Sequence, residues 1–304
     1  MINWIPVALV RIGERRLVRW IELGERPFLE PFFDQTVRTL SNANSAQKLT
    51  PIDELEDIQL GAEPKGFIFH VSRCGSTLVS RSLAAVSRHR VISEASPLNQ
   101  LLLDENLDEK RRLELLKGLI HALCGTAADT VCLIKFTSWN LLFLEQILTL
   151  FPNTPWLFVY REPTAVLRSL TENPPSWATN QKLARMIGKL HSNSLEQMSS
   201  TLECLFKAPL LRLNQLGQPV NYCQLPEAIL DIAAHFGLEL PPIEREQIIR
   251  MGQFDAKQLD EIKFLPRKHT PLSLEFRDDA LPLNLLYQKW EKIRSKSPAL
   301  TGSY

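Results

Sequence analysis

The chain has 304 residues, 44% of them hydrophobic, and its 35 Lys and Arg residues nearly balance 34 Asp and Glu residues. This composition predicts a large globular domain, and the near-zero net charge excludes broad electrostatic attraction to nucleic acid or to an anionic membrane surface. No window approaches the ~18 uninterrupted apolar residues of a membrane helix, and the five cysteines show no CxxC or metal-ligand spacing. We expect a soluble cytoplasmic protein with free thiols, no nucleic-acid or membrane partner, and an oligomeric state that the sequence does not define.

The first part of the chain predicts a small module. Residues 5–21 alternate apolar and polar side chains on both sides of Gly13 and Glu14, which is typical of a two-stranded hairpin. A helix is expected from about Glu30, and the stretches 41–47 and 51–57 are expected to form a linker because they hold too little apolar surface to pack. We therefore divide the chain into residues 1–60, the N-terminal module with its hairpin, helix and linker, and residues 61–304, an α/β domain.

From Gly66 onward, short apolar runs alternate with amphipathic stretches, the pattern of parallel strands joined by helices. Strands are predicted at 66–71, 130–136 and 156–160. Helices are predicted at 77–88, 108–124, 139–151, about 180–206, and 226–236. The predicted fold class is α/β, a three-layer domain with a parallel sheet that begins with a P-loop-like strand, loop and helix.

The loop 72–77, Ser-Arg-Cys-Gly-Ser-Thr, is predicted to bind phosphate. A strand that runs through a short loop into a helix brings free backbone N–H groups and the positive helix end to one point. In the triphosphate pattern G-x-x-x-x-G-K-[ST], Gly75 and Thr77 fit, but Ser76 stands where the lysine belongs. An ATPase or GTPase would lose the cation on its terminal phosphates, and the cation of this loop is instead Arg73. The alternative is an unoccupied strand-to-helix turn whose glycine relieves crowding.

This arrangement resembles the 5′-phosphosulfate loop of the sulfotransferases that use 3′-phosphoadenosine 5′-phosphosulfate (PAPS), where a basic residue, a small residue, glycine and two hydroxyl residues follow an apolar strand. A second motif is similar to the family's 3′-phosphate anchor: Arg161 follows the strand 156–160, and Ser169 lies eight residues further on. The alternative for Arg161 is an ordinary ion pair with Glu162, worth ~0–1 kcal/mol. Residues 221–240 resemble the family's tyrosine-bearing strand, proline-led helix and terminal Gly-Leu more loosely.

The resemblance implies transfer of a sulfuryl group from PAPS to a hydroxyl of an acceptor, a small molecule, a sugar or a peptide, without a metal. Arg73 is the candidate for the cation on the leaving group. Glu94, just ahead of a helix that Ser96 is expected to cap, resembles the catalytic glutamate of some members, and Lys135 at a strand end resembles a supporting lysine. The implied donor contacts are Arg73, Cys74, Gly75, Ser76, Thr77, Leu78, Arg161 and Ser169.

Other assignments for these residues stay open. Glu94 is alternatively a solvated acid near a helix N-terminus, and Lys135 a strand-end lysine that reaches solvent along its apolar stem. Histidine is an alternative base; His70 lies inside a strand, whereas His89 and His121 are expected to be exposed. The thiol of Cys74 lies at a helix start beside a cation, but no supporting His/Asn pattern is near, so we favour a small residue that fills the loop.

The sequence also departs from the family, because the C-terminal G-x-x-G-x-x-K signature of the cytosolic small-molecule enzymes is absent. Late nucleotide contacts are therefore unassigned, and the basic segment 265–271 with Arg267 and Lys268 is a candidate for them. Trp139 and Trp177 could stack on adenine or acceptor, but core packing is favoured. Two other functions remain open: a P-loop kinase or NTPase, and a non-catalytic nucleotide-binding protein of the same fold.

Overall fold

The structure, a computed structural model, describes residues 4–24, 26–58, 62–126, 130–187, 194–213, 216–254 and 277–296. Within these ranges the chain forms a three-stranded antiparallel sheet near its N-terminus and a five-stranded parallel sheet, which confirms the predicted α/β class. The predicted boundary near residue 60 falls among residues 59–61, outside the described residues.

The N-terminal module contains strands β1 (Trp4–Ile12) and β2 (Arg15–Glu22), helix α1 (Phe33–Asn42) and strand β3 (Gln47–Pro51). β1 and β2 pair antiparallel across the turn at Gly13, so the predicted hairpin is confirmed. β2 also pairs with β3, which the sequence did not predict. The edge strand β3 alternates exposed and half-buried residues and carries only one large apolar side chain, Leu49, which explains why its sequence gave little signal.

The larger part of the chain supplies the parallel sheet and its helices. Its first half contains β4 (Gly66–His70), α2 (Ser76–Ala84), β5 (His89–Ser93), α3 (Ser96–Leu102), α4 (Glu109–Cys124), β6 (Val131–Lys135), α5 (Leu144–Leu150) and β7 (Trp156–Tyr160). Its second half contains α6 (Pro163–Glu172), α7 (Gln181–Met186), α8 (Ser194–Lys207), β8 (Gly217–Asn221), α9 (Ile229–His235), α10 (Pro242–Gly252) and α11 (Arg277–Arg294).

The strands lie in the order β5-β6-β4-β7-β8, and every neighbouring pair is parallel. The central strands β4 and β7 are buried at every residue, so they read as continuous apolar runs, and the three predicted strands are confirmed. Since crossovers between parallel strands are almost always right-handed, this strand order puts α2 on the face opposite α4 and α5, and α4 packs against α5. Helices α9 and α10 pack against α2, which completes the three layers.

Several predicted helix boundaries differ from the structure. The helix predicted at 77–88 ends at Ala84, and the one predicted at 226–236 begins only at Ile229. The segment predicted at 139–151 is a 3₁₀ helix, Ser138–Phe143, followed by α5. The long helix predicted at about 180–206 corresponds to α7 and α8, with 188–193 outside the described residues.

The prediction that residues 51–57 form an unpacked linker is wrong. Ile52–Leu55 forms a 3₁₀ helix, and the side chain of Leu55 is completely buried. It lies against α4 at Gly118, where an added Cβ would come 1.8 Å from the Leu55 carbonyl oxygen. Glycine at this position therefore lets the backbones of the N-terminal module and α4 touch.

The prediction of free thiols is wrong for one pair of cysteines. Cys124 at the end of α4 and Cys132 in β6 form a disulfide, with their Cα atoms 5.2 Å apart. The other three cysteines, Cys74, Cys204 and Cys223, are not part of a disulfide among the described residues. The pair meets because α4 and β6 both lie beside β5, a tertiary relation that cysteine spacing does not report. No helix in the described ranges is long and apolar enough to cross a membrane.

Candidate active site

The loop between β4 and α2 leaves the carboxyl end of the central strand in an uncommon backbone conformation. Ser72, Arg73 and Gly75 have φ values of 66°, 52° and 84°, in the left-handed region that non-glycine residues rarely adopt. At Gly75 a Cβ would lie 2.8 Å from Leu225 Cδ1. Glycine is therefore favoured at this position both by the backbone conformation and by the limited space.

The loop directs unused hydrogen-bond donors toward the start of α2. In the described part of the chain, the backbone N–H groups of residues 73–77 donate to no protein acceptor, whereas those of Leu78 and Val79 donate to the Gly75 carbonyl. The side chains of Ser76 and Thr77 add hydroxyl groups there. Free N–H groups at the positive end of a helix bind anions.

Cys74 attaches this loop to the neighbouring strand. Its side chain is completely buried, and its thiol donates to the carbonyl oxygen of Val159 in β7 at 3.2 Å. This geometry fits the interpretation of Cys74 as a small residue that fills the loop.

Arg161 and Arg73 connect the loop to both ends of α6. Arg161 follows β7 directly and donates from Nη1 to the Arg73 carbonyl at 3.3 Å, while its guanidinium lies 4.2 Å from the ring centroid of Tyr222. Arg73 donates from Nη2 to the Asn173 carbonyl at 2.8 Å, and the Asn173 N–H donates to the carbonyl of Ser169. The predicted donor contacts thus belong to one connected group, with Ser169 on the last turns of α6.

Glu162 caps α6 rather than serving only as a surface partner for Arg161. Its carboxylate accepts hydrogen bonds from the N–H groups of Thr164 and Ala165 at 2.9 and 2.8 Å. An acidic N-cap followed by Pro163 is a favourable helix start, so the Arg-Glu-Pro sequence fixes where α6 begins relative to Arg161.

Glu94 and Lys135 form a buried ion pair after β5 and β6. The side chain of Lys135 is 0% exposed and that of Glu94 is 24% exposed, and Lys135 Nζ donates to Glu94 Oε1. Lys135 therefore does not reach solvent, which rules out that alternative. Burial alone would raise the pKa of Glu94, but the charge of Lys135, its hydrogen bond to the carboxylate and the nearby His70 ring hold the pKa well below its usual range. Glu94 is thus a carboxylate at neutral pH.

His70 contacts the same carboxylate from β4. Its Nδ1 accepts the Ser72 N–H at 3.1 Å, so the neutral ring carries its proton on Nε2, which lies 3.6 Å from Glu94 Oε1. The other two candidate histidines are buried, contrary to the prediction that they are exposed: His89 is 2% and His121 3% exposed. The Nδ1 atom of His89 lies at the Leu83 carbonyl and that of His121 at the Ile58 carbonyl, so each has a structural role in the core.

A side chain that the sequence did not point to completes this cluster. The ring centroid of Phe32 lies 5.0 Å from Lys135 Nζ. Nearby, Ser96 was predicted to cap α3, but the N-cap is Ala95, and Ser96 Oγ donates instead to Asp34 Oδ1 of the N-terminal module. An aromatic residue and an aspartate at a helix start are common, so no local signal could have identified either contact.

A polar network links the loop to the end of β6. Ser72 Oγ donates to Ser138 Oγ at 2.8 Å, and Asn99 of α3 donates to Thr137 Oγ1 at 2.9 Å. Asn140 contacts Thr137 and Asn99, because its Oδ1 accepts from the Thr137 N–H and its Nδ2 donates to Asn99 Oδ1. Hydrogen bonds therefore fix the loop after β4, the segment after β6, and α3 relative to one another.

The remaining sequence candidates lie elsewhere. Trp139 and Trp177 are each 5% exposed and belong to the core, as favoured from the sequence. Arg267 and Lys268 lie outside the described residues. Among the residues that the structure describes, no group of three or more His, Cys, Asp or Glu side chains could hold a metal ion.

The loop after β4, Arg161 after β7, and the Glu94–Lys135 pair after β5 and β6 lie at one edge of a parallel sheet, which defines the class as a parallel α/β protein with its candidate site at the strand ends. More narrowly, the chain has the sulfotransferase fold. Sulfotransferase STF9 from Mycobacterium avium matches with a TM-score of 0.50 at 13% sequence identity, covering 82% of this chain and 80% of that one.

A second match is the sulfotransferase domain from the curacin biosynthetic pathway, with a TM-score of 0.46 and 16% identity over 74% of this chain and 98% of that domain. No protein-family model matches the sequence. No curated protein matches it at a significant level. At this level of identity the likeness concerns the fold, so the function has to be argued from the site itself.

Proposed function

We propose that the protein is a sulfotransferase that transfers the sulfuryl group of PAPS to a hydroxyl of its acceptor. The observation that carries this proposal is the loop 73–77, whose N–H groups have no acceptor among the described residues. It lies on the same strand edge as Arg161 on one side and the Glu94–Lys135 pair on the other. In open parallel sheets, ligands bind at this edge.

The donor would bind with its 5′-phosphosulfate in the loop. The free N–H groups, the hydroxyls of Ser76 and Thr77, and the positive end of α2 would share the charge that develops on the leaving phosphate. Arg161 and Ser169 would hold the 3′-phosphate on the β7 side. Arg73, whose guanidinium reaches the end of α6, ties the two anion sites together.

On the acceptor side, Glu94 would take the proton of the attacking hydroxyl. The acceptor oxygen forms its bond to sulfur while the bond from sulfur to the 5′-phosphate oxygen breaks, the proton passes to Glu94, and the adenosine bisphosphate leaves. A carboxylate whose pKa is held low by Lys135 is a weak base. An incoming sulfuryl group would attract the Lys135 ammonium, weaken its bond to Glu94, and so raise the basicity of Glu94 when the donor is bound.

The test of donor binding is thermal stabilisation by 3′-phosphoadenosine 5′-phosphate (PAP), compared with AMP and with ATP plus Mg²⁺. Ligand at 100 times its Kd adds about 2.7 kcal/mol to the free energy of unfolding, so PAP should raise the Tm at concentrations where AMP does not. Arg161→Ala should abolish this difference, whereas Arg15→Ala, at the exposed hairpin turn, should preserve it. Equal responses to PAP and AMP would refute the 3′-phosphate site, and a selective response to ATP would favour a kinase.

The test of transfer uses radiolabelled PAPS with a panel of phenols, sugars, alcohols and tyrosine peptides. Loss of a general base lowers turnover by about 10²–10⁴-fold, which is the fall expected for Glu94→Ala on any acceptor that reacts. PAP binding without transfer to any acceptor would indicate a non-catalytic nucleotide-binding protein.

A further inference from the structure

The position of Phe32 is set within the N-terminal module. Its backbone is extended where α1 begins, and its N–H donates to Gln35 Oε1 at 3.2 Å. The next residue, Phe33, is 1% exposed and stacks on Phe28 with ring centroids 6.0 Å apart. The module's own core therefore fixes the segment, while the Phe32 ring itself is half-buried and extends toward the parallel sheet.

That ring covers the ammonium group of the ion pair. Phe32 lies 5.0 Å from Lys135 Nζ, and the same nitrogen donates to Glu94 Oε1. Lys135 is completely buried, so the ring and the carboxylate replace the water that an ammonium group would otherwise bind. A cation over an aromatic face is most strongly held when it is desolvated in this way.

The module also holds the chain segment that carries Glu94. Asp34 accepts a hydrogen bond from Ser96, two residues after Glu94, and the Leu9 N–H donates to Gln100 Oε1 on α3 at 2.7 Å. Glu94 itself has a φ of 56°, a left-handed conformation that a non-glycine residue keeps only where its surroundings impose it. Contacts on both sides of the pair thus come from outside the parallel α/β domain.

We propose that the N-terminal module is a working part of the active site, in which Phe32 and Asp34 are positioning residues for Lys135 and Glu94. This rests on the proposed function for the role of the pair, but the contact itself can be tested without it. The donor loop and Arg161 belong to the β4 and β7 side. Loss of the module's contacts should therefore disturb the chemical step and leave nucleotide binding unchanged.

The first experiment measures acetylation of Lys135 by a water-soluble acetylating reagent, read by peptide mass spectrometry. In the unaltered protein Lys135 should resist the reagent while the exposed Lys110 reacts. Phe32→Ala should raise the labelling rate of Lys135 at least several-fold, and Phe32→Tyr, which keeps the ring, should not. The matched control is Asp53→Ala, which breaks a different contact of the module, the ion pair with Arg111 at 2.5 Å.

An unreactive Lys135 in Phe32→Ala, or equal labelling after Asp53→Ala, would overturn the proposal. Asp34→Ala gives a second perturbation that leaves the buried aromatic core intact, and it should shift the labelling in the same direction as Phe32→Ala.

The second experiment measures turnover with PAPS and an acceptor that reacts in the panel described above. Phe32→Leu keeps the apolar bulk but removes the ring. The loss of the contact between the ring and the Lys135 ammonium should lower kcat about 2- to 30-fold. The Kd for PAP should stay unchanged, and Phe32→Tyr should restore most of the activity. Unchanged kcat in both Phe32→Leu and Asp34→Ala would overturn the positioning role. If the unaltered protein transfers no sulfuryl group, the proposed function fails, and the labelling result alone decides whether the module holds the pair.

Discussion

The Glu94–Lys135 pair predicts that its two members contribute unequally to stability. Lys135 is 0% exposed and Glu94 is 24% exposed. Glu94→Ala would leave a buried ammonium group without its carboxylate, and breaking a buried pair in this way costs about 3–5 kcal/mol. Lys135→Met would leave a carboxylate that water can reach, while methionine fills the space of the lysine stem, so we expect a cost of about 0–2 kcal/mol.

Urea denaturation followed by tryptophan fluorescence would measure these differences. The double variant Glu94→Ala/Lys135→Met should cost less than the sum of the single variants, with a coupling of about 1–3 kcal/mol. Lys110→Ala is the control, because it removes an exposed helical pair with Glu114 and should change stability by under about 0.5 kcal/mol. The reasoning is refuted if Lys135→Met is the more damaging single change or if the two costs simply add.

The same pair predicts a pH dependence with a definite sign. The pKa of Glu94 is lower in the folded protein than the ~4.3 of an unfolded glutamate. Its contribution to stability is therefore complete above about pH 5 and is lost as the pH falls below the unfolded pKa. From pH 5 to pH 3 the free energy of unfolding should decline more steeply in the unaltered protein than in Lys135→Met. Identical slopes would contradict a depressed pKa.

Two glycines give further predictions. Gly75→Ala should lower stability by about 1–2 kcal/mol through its positive φ and should also weaken PAP binding, because the new Cβ would meet Leu225 at 2.8 Å. Gly13→Ala, with a φ of 61° and open space around it, should show the stability loss without the binding loss, and equal PAP affinity in both variants would contradict the steric argument. Gly118→Ala should lower the free energy of unfolding by about 1–3 kcal/mol, and the urea midpoint with it, because its Cβ would overlap the Leu55 carbonyl; an unchanged midpoint would mean that α4 and the module are not in backbone contact.

The parts of the fold that could be predicted are those with a clear local hydrophobic pattern, either alternating, as in the β1–β2 hairpin, or continuous, as in the central strands. β4, β6 and β7 are buried on both faces and read clearly as strands. β5 and β8 do not read clearly as strands, although β5 is as buried as β6, because His89 and Arg90 begin β5 and because β8 contains glycine and proline. Tertiary packing decides such segments, since the parallel sheet supplies hydrogen bonds that local propensity does not.

The candidate site divides in the same way. The loop and Arg161 could be proposed from the sequence because each depends on residues close together in the chain, a strand end followed by a helix start. The pairing of Glu94 with Lys135 joins residues 41 positions apart, and the contact of Phe32 with Lys135 runs from the start of α1 to the parallel sheet. Neither pairing has a local pattern. From the sequence alone, Lys135 was equally able to extend into solvent. Its complete burial became evident only from the structure around it.

The strand order also places the residues proposed to select the acceptor apart from those proposed to bind the nucleotide. Adjacent strands lie about 4.8 Å apart, so the end of β5 with Glu94 and the end of β7 with Arg161 are about 14 Å apart, with the loop of β4 between them. Under the proposed function, mutations that alter acceptor choice would accumulate in the N-terminal module and α3, while β7 and α6 continue to hold the same nucleotide. A directed-evolution library confined to the first region could therefore explore new acceptors at a constant affinity for the donor.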